Sequence, residues 1–160
     1  MKTLVVYDSV HGNTEKIARA IGDALAGEVK VLRVTEVNSS ELRTTDLLIV
    51  GSPTYGGRPT PVIQEFLRKI PPDSLKHIDV ASFDTRFSAK DRGIGIRIIV
   101  GLMGYAAGRI ANSLIGKGGY LVKPPEGFIV GDTEGPLKQG EVERAAEWAK
   151  GITLSKRNSQ

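Results

Sequence analysis

Asp8-Ser9-Val10-His11-Gly12-Asn13-Thr14-Glu15 joins the apolar run Thr3–Tyr7 to a segment of helical period. A short continuous apolar run reads as a strand buried on both faces, the habit of a parallel sheet. On the far side, Asn13–Ala26 carries Ile17, Ala20, Ile21, Ala24 and Leu25 on one helical face, and Gly27 closes it. The joint therefore presents backbone N–H groups at a helix N-terminus, where the macrodipole amounts to about half a charge. Ser9 and Thr14 add hydroxyl donors, Asn13 adds an amide, and Gly12 lets the backbone approach an anion closely. The stretch is neither the G-x-x-x-x-G-K-[ST] loop nor the dinucleotide G-x-G-x-x-G. It holds no Lys or Arg, which suits a resident monophosphate better than a nucleoside triphosphate. Taken alone, it also reads as an ordinary helix start after a turn.

Outward from this joint, strand and helix periods alternate. Val29–Val34 mixes Lys30 and Arg33 with apolar residues and suits a half-exposed edge strand. Asp46–Val50 reads as a central strand. Thr60-Pro61 pairs an N-cap with proline at the first helical position, and Ile63, Phe66, Leu67 and Ile70 form that helix's stripe before Pro71-Pro72 stops it. Ile78–Phe83 is the next strand. Ile98–Ile115 reads as a helix ended by Gly116, Gly118 and Gly119, and Tyr120–Val130 as a last strand broken by Lys123-Pro124-Pro125-Glu126-Gly127. Glu141–Ile152 closes the chain with Val142, Ala145, Trp148, Ala149 and Ile152 on its buried face. The pattern predicts an α/β fold with a doubly wound, five-stranded parallel sheet of order 2-1-3-4-5 and helices on both faces. Ligands in such sheets bind beyond the carboxyl ends of the strands, where the order reverses. One domain over residues 1–153 is expected, with 154–160 as a disordered tail.

Composition narrows the chemistry. The chain has 160 residues, 40% hydrophobic and 25% charged, which places it with ordinary globular domains and against disordered or fibrous classes. With no cysteine, disulfides, thiolate catalysis and Cys-held metal centres are excluded. His11 and His77 have no ligand-like spacing, so no metal site is expected and redox chemistry must come from an organic cofactor. The N-terminus lacks a signal-peptide pattern, and the apolar stretch Ile94–Ile115 is interrupted by Arg97, Arg109 and Asn112. A cytoplasmic protein without a membrane span is the expectation. The formal charge is +4, but Lys and Arg are spread along the chain, and the locally dense Arg86–Arg97 lacks interleaved aromatics. No nucleic-acid partner is expected.

Two more stretches fall at the same end of the sheet: Gly51-Ser52-Pro53-Thr54-Tyr55-Gly56-Gly57-Arg58-Pro59-Thr60 and Phe83-Asp84-Thr85-Arg86-Phe87. Gly56 and Gly57 beside Tyr55 suggest a flexible loop that lays a planar side chain against something flat, although Tyr55 packed on its own helix is the plainer alternative. With these residues on the page, the chain resembles the flavodoxin family over essentially Met1–Ile152. Ser9, Gly12, Asn13, Thr14 and Glu15 match its S/T-x-S/T-G-N-T-E loop, with His11 where that family usually has a hydroxyl residue. The stretch from Gly51 is similar to its G-x-P-T-Y-x-x-G. Asp84, Thr85 and Phe87 take the places of its G-D-S-x-Y, and Gly131–Leu137 resembles the turn before its last helix.

The resemblance implies one non-covalently bound flavin mononucleotide (FMN). Ser9, Val10, His11, Gly12, Asn13 and Thr14 would hold its phosphate. Tyr55 would stack on the inner face of the ring, with Pro53, Thr54, Gly56 and Gly57 around it. Backbone groups of Asp84 and Thr85, with Arg86 beside them, would reach the pyrimidine edge, and Phe87 or Phe83 would supply the outer stack. No catalytic residue is assigned, since Asp8, Asp84 and His11 are isolated, and an electron carrier is the leading reading. The alternatives are an NAD(P)H:quinone or partner-linked oxidoreductase, with Arg86, Lys90, Arg92 and Arg97 for an anionic nicotinamide, and a non-redox binding module. Typical flavodoxins are acidic and this chain is basic, so an acidic redox partner is expected. For the same reason Arg86, Lys90 and Arg92, set against Asp84 and Asp91, are expected to raise the potential of the last reduction step. Gly101, Gly104 and Gly108 beside Met103 and Tyr105 suit close helix packing, within the fold or against a second chain, so the oligomeric state stays open.

Overall fold

The computed structural model describes residues 1–88, 104–132 and 134–158, with side chains of the last helix described through Ile152. Strands β1 (Lys2–Tyr7), β2 (Glu28–Arg33), β3 (Leu47–Pro53), β4 (Asp79–Phe87), β5 (Tyr120–Leu121) and β6 (Glu126–Val130) form one sheet. Its order is β2-β1-β3-β4-β5, with β6 also on β4, and the named strand pairs run parallel. Helices α1 (Asn13–Ala24), α2 (Ser39–Arg43), α3 (Pro61–Lys69), α4 (Ala106–Gly116) and α5 (Glu141–Asn158) connect and cover it. None of the described helices is long and apolar enough to cross a membrane.

The expected 2-1-3-4-5 order is observed, with its fifth strand in two pieces. β5 pairs the start of β4 (Asp79 with Tyr120) and β6 pairs its end (Phe83 with Glu126 through Phe87 with Val130). Pro124 and Pro125 have no N–H for the ladder, so pairing lapses there. The break is shorter than the sequence suggests, because Glu126 and Gly127 already belong to β6.

Alternation along the strands divides the core into two layers. Val5, Ile49 and Phe83 face α1 and α5, where they meet Ile17, Ile21, Phe128 and Trp148. Val6, Leu48 and Val50 face α3 and α4, meeting Ile63, Leu67, Ile110 and Leu114. Phe83, Phe128 and Trp148 stand edge to face with centroids 6.2–6.4 Å apart. Such pairs contribute about 0.5–1.5 kcal/mol each beyond their buried area. Gly51 lies beside Phe83 in the ladder, and a Cβ there would overlap the ring. Gly51→Ala is therefore expected to cost about 1–3 kcal/mol through overpacking, read as a lower urea midpoint with an unchanged slope. An unaltered midpoint would contradict this packing.

Several boundaries differ from the periodic reading. β3 runs on through Gly51-Ser52-Pro53, and β4 through Asp84-Thr85-Arg86-Phe87, both read from sequence as loop. Their polar ends break the apolar run, yet β3 and β6 flank β4 and satisfy its backbone there. α1 stops at Ala24, with Leu25 extended and Gly27 turning at φ 92°. A helix does not run through residue 104, because Gly104 has φ 73° and Tyr105 is extended at the N-cap of α4. Residues 98–103, including Gly101 and Met103, lie outside the described residues. Among the described residues, a Cβ at Gly108 would meet open space. α5 continues to Asn158, into the segment read as a tail. Unanticipated, α2 is capped by Asn38, whose Oδ1 accepts from the Ser40 N–H at 3.2 Å.

Candidate functional site

The sheet order reverses at β1, which has β2 on one side and β3 on the other. Beyond the carboxyl ends of these strands lies a cleft lined by Ser9, Val10, His11, Asn13, Thr14, Pro53, Thr54, Tyr55, Thr85, Arg86, Phe87 and Val130. Three stretches far apart in sequence thus converge on one place. Of the site residues named from sequence, Gly12, Gly56, Gly57 and Asp84 do not line it, and Val130 is an addition.

The first loop is wound around a hydroxyl. Ser9 Oγ accepts from the N–H of Gly12 at 3.0 Å and of Glu15 at 3.4 Å. Gly12 takes φ 89°, a conformation that disfavours any side chain whatever the space around it. Arg33, at the end of β2, donates from Nη1 to Ser9 O at 3.0 Å and to Asp8 Oδ1 at 3.3 Å. Nothing in the local pattern of an edge strand marks Arg33 for this task. Glu15 has a structural use: it accepts from Tyr7 OH at 2.8 Å and Arg19 at 2.9 Å. The Tyr7 bond first, then Arg19, holds its carboxyl below the usual range.

Two loop residues are used differently from the sequence expectation. Asn13 Nδ2 donates to Glu134 O at 3.1 Å, and its amide fills the space over Gly135 where a Cβ would overlap it. One N–H of that amide tethers the turn before α5, and the amide's second N–H is not committed by that bond. Thr14 Oγ1 and Thr85 Oγ1 share a buried hydrogen bond of 2.8 Å. One hydroxyl proton lies between them and the other is left over for the cleft. Among the described residues, the backbone N–H groups of Val10, His11, Asn13 and Thr14 donate to no protein acceptor. Those of Asn13 and Thr14 are donors of the kind that a helix start leaves unpaired, and those of Val10 and His11 belong to the loop just before it.

The second stretch is a tight turn and not a flexible loop. Buried Ser52 donates to Pro53 O at 2.9 Å and accepts from the Thr60 N–H at 2.9 Å, closing both ends of the segment. Tyr55 and Arg58 exchange backbone hydrogen bonds of 3.0 Å across Gly56 (φ 57°) and Gly57 (φ 76°). Positive φ at both central positions is what a two-residue turn of this kind demands. The turn leaves Tyr55 43% exposed at the rim of the cleft. Partial burial, then the Asp8 charge, raises its hydroxyl pKa.

The third stretch departs most from expectation. Asp84 and Thr85 sit inside the ladder, paired with Ser52 and Pro53 on one side and Gly127 and Phe128 on the other. Thr54 N–H also donates to Thr85 O at 3.0 Å. Their backbones are thus committed to the sheet, and Thr85 reaches the cleft through its hydroxyl. Asp84 is fully buried and accepts from Arg86 Nε at 2.6 Å, Arg86 Nη2 at 2.8 Å and the Ala107 N–H at 2.9 Å. Burial pushes the Asp84 carboxyl up, while Arg86, Ala107 and the Thr54 hydroxyl pull it back. Arg86 lies 3.4 Å from the Tyr105 ring centroid and covers Gly127, where a Cβ would overlap the guanidinium. Its charge is balanced by Asp84 in direct contact, so the pair adds no net charge beside the cleft. Lys90, Asp91, Arg92 and Arg97 lie outside the described residues. Phe83 belongs to the core, leaving Phe87 as the described aromatic candidate for an outer stack.

Residues 4–95, more than half of the chain, match the flavodoxin domain family. The chain belongs to that family. An uncharacterized protein of Methanocaldococcus jannaschii is 37% identical over 85 residues, which is 49% of this chain and 21% of the relative. The chain thus spans about a fifth of that curated relative's length. Oxidised flavodoxin 2 from Bacillus cereus superposes with a TM-score of 0.76 at 23% identity, covering 96% of this chain and 99% of that one. The flavodiiron protein from Giardia intestinalis superposes with a TM-score of 0.70 at 18% identity, covering 98% of this chain and 37% of that one. The fold is the flavodoxin fold, spanning nearly all of the first structure and part of a longer chain in the second.

Proposed function

We propose that this chain binds FMN non-covalently in the cleft and serves as a one-electron carrier in the cytoplasm. The observation that carries the reading is the first loop, which has no Lys or Arg of its own over residues 8–15 and whose N–H groups at Val10, His11, Asn13 and Thr14 meet no acceptor among the described residues. Neutral donors at a helix N-terminus suit a phosphate monoester. The cleft floor at Ser9, Asn13 and Thr14 suits the phosphate end of the molecule. Tyr55, exposed at the rim, suits the ring. Bound FMN would supply the redox chemistry, and the protein the orientation and electrostatics. A carrier is favoured over a reductase because Asp84, the buried carboxyl of this region, is tied up by Arg86 and Ala107 instead of being open to substrate.

The purified protein is expected to be yellow and to release FMN on heating. FAD as the sole released flavin would overturn the reading, and steady-state NAD(P)H oxidation with a quinone would favour a reductase. Tyr55→Ala is expected to weaken FMN and riboflavin alike, by about 2- to 10-fold, because the ring stacks and the phosphate does not. Fluorescence-quenching titrations would read both. A loss confined to FMN would place Tyr55 at the phosphate.

A further inference from the structure

Beside the cleft, a groove of about 530 Å³ runs between α3 and α4. Arg58, Arg68, Arg109 and Lys117 line it around Pro59 and Leu67, and no Asp or Glu is among its described lining residues. Glu65 pairs with Arg68 at 2.6 Å and with Lys69 at 3.7 Å, so the Arg68 charge is partly balanced. Lys117 reaches the Arg68 carbonyl at 3.4 Å. Arg68 and Lys117 also sit at helix C-termini, where the macrodipole by itself favours cations. Arg58 has no such reason, since it sits in the turn with Tyr55. The groove therefore begins at the turn that presents Tyr55 to the cleft.

We propose that this groove is the docking surface for a carboxylate-rich segment of the protein that exchanges electrons with this one, an inference that rests on the flavin reading above. Arg58 in the Tyr55 turn, Arg68 in α3 and Lys117 at the end of α4 reach the groove from three separate segments. Cations strung along a groove match a chain bearing several carboxylates, whereas a lone phosphate calls for donors converging on one point. A partner segment seated there lies against the Tyr55 turn.

The test uses a hexaglutamate peptide as the acidic probe, titrated at low salt into isotope-labelled protein with and without FMN. Backbone amide shifts are expected to be confined to the segments 58–68 and 109–117, with affinity falling as ionic strength rises. Arg58→Gln with Lys117→Gln should weaken the peptide by about 10-fold. Lys30→Gln with Lys150→Gln, an equal change of charge on β2 and α5, should not. Shifts scattered over all exposed cations, or equal weakening in both double variants, would overturn the proposal. So would pyrophosphate moving the same amides at lower concentration than the peptide, which would assign the groove to a small phosphorylated ligand. FMN binding by the wild type is read separately from flavin quenching, so a failure of the flavin reading is distinguished from a failure of the groove.

Discussion

Arg86→Gln is expected to lower the unfolding free energy by about 3–5 kcal/mol at neutral pH, the scale for removing one partner of a buried ion pair. The size follows from what is left behind. Asp84 is completely buried, and Arg86 supplies two of its donors at 2.6 and 2.8 Å. Glutamine keeps some of the volume but neither the charge nor the two-pronged geometry. Burial is already the largest influence raising the Asp84 pKa, and losing the guanidinium removes the largest opposing one. A carboxyl whose pKa is raised in the folded state contributes stability that is fully present below its unfolded pKa. That stability is lost as pH rises through the folded pKa. The deficit of Arg86→Gln should therefore be largest near neutral pH and shrink on acidification, as Asp84 takes up a proton. Urea denaturation at several pH values reads this directly. Asp84→Asn combined with Arg86→Gln, which removes both charges, should recover much of the loss at neutral pH. A deficit that is the same at every pH would mean that Arg86 acts through its stacking on Tyr105 and Gly127 and not through the carboxylate.

Thr14→Val is expected to weaken FMN by roughly 10- to 150-fold, or about 1.5–3 kcal/mol, while leaving riboflavin binding unchanged. Thr14 and Thr85 are buried together with their oxygens 2.8 Å apart, and the spare proton of the pair is available to an anion in the cleft. Valine keeps the branched shape, so the change removes the hydroxyl without opening a cavity. It also leaves Thr85 without its partner, a stability cost that a denaturation curve measures separately from affinity. Because the two hydroxyls act as a pair, Thr85→Val should weaken FMN by a similar factor, and the double variant by much less than the product. Equal weakening of FMN and riboflavin by Thr14→Val would show that this loop does not hold the phosphate.

Much of the molecule was legible in local pattern. The apolar runs of β1 and β3, and the stripes on α1 and α3, announce burial through neighbouring residues, because strand and helix periods show within a few positions. Strict alternation of strand and helix, with right-handed crossovers, then leaves few topologies to choose from. The position of the cleft follows from the order reversal, and the Gly56-Gly57 pair beside Tyr55 foreshadows the turn that carries it.

The partners of the polar groups could not be read in this way. Asp84 and Thr85 looked like loop because they end an apolar run, and β6, some forty positions later, is what keeps them in the ladder. Asn13 gave no local sign that one N–H of its amide goes to Glu134, 121 residues away. Arg86 and Asp84 stood in the sequence as opposite charges of one segment, but that they pair directly, with Arg86 against Tyr105 and over Gly127, shows only in the structure. Residue pattern alone determined the sheet, its order and the place of the cleft, because burial periodicity is a property of neighbouring residues. Only the tertiary structure decided which donors remain open at that site, because a buried polar group must find a partner and that partner can come from anywhere in the chain.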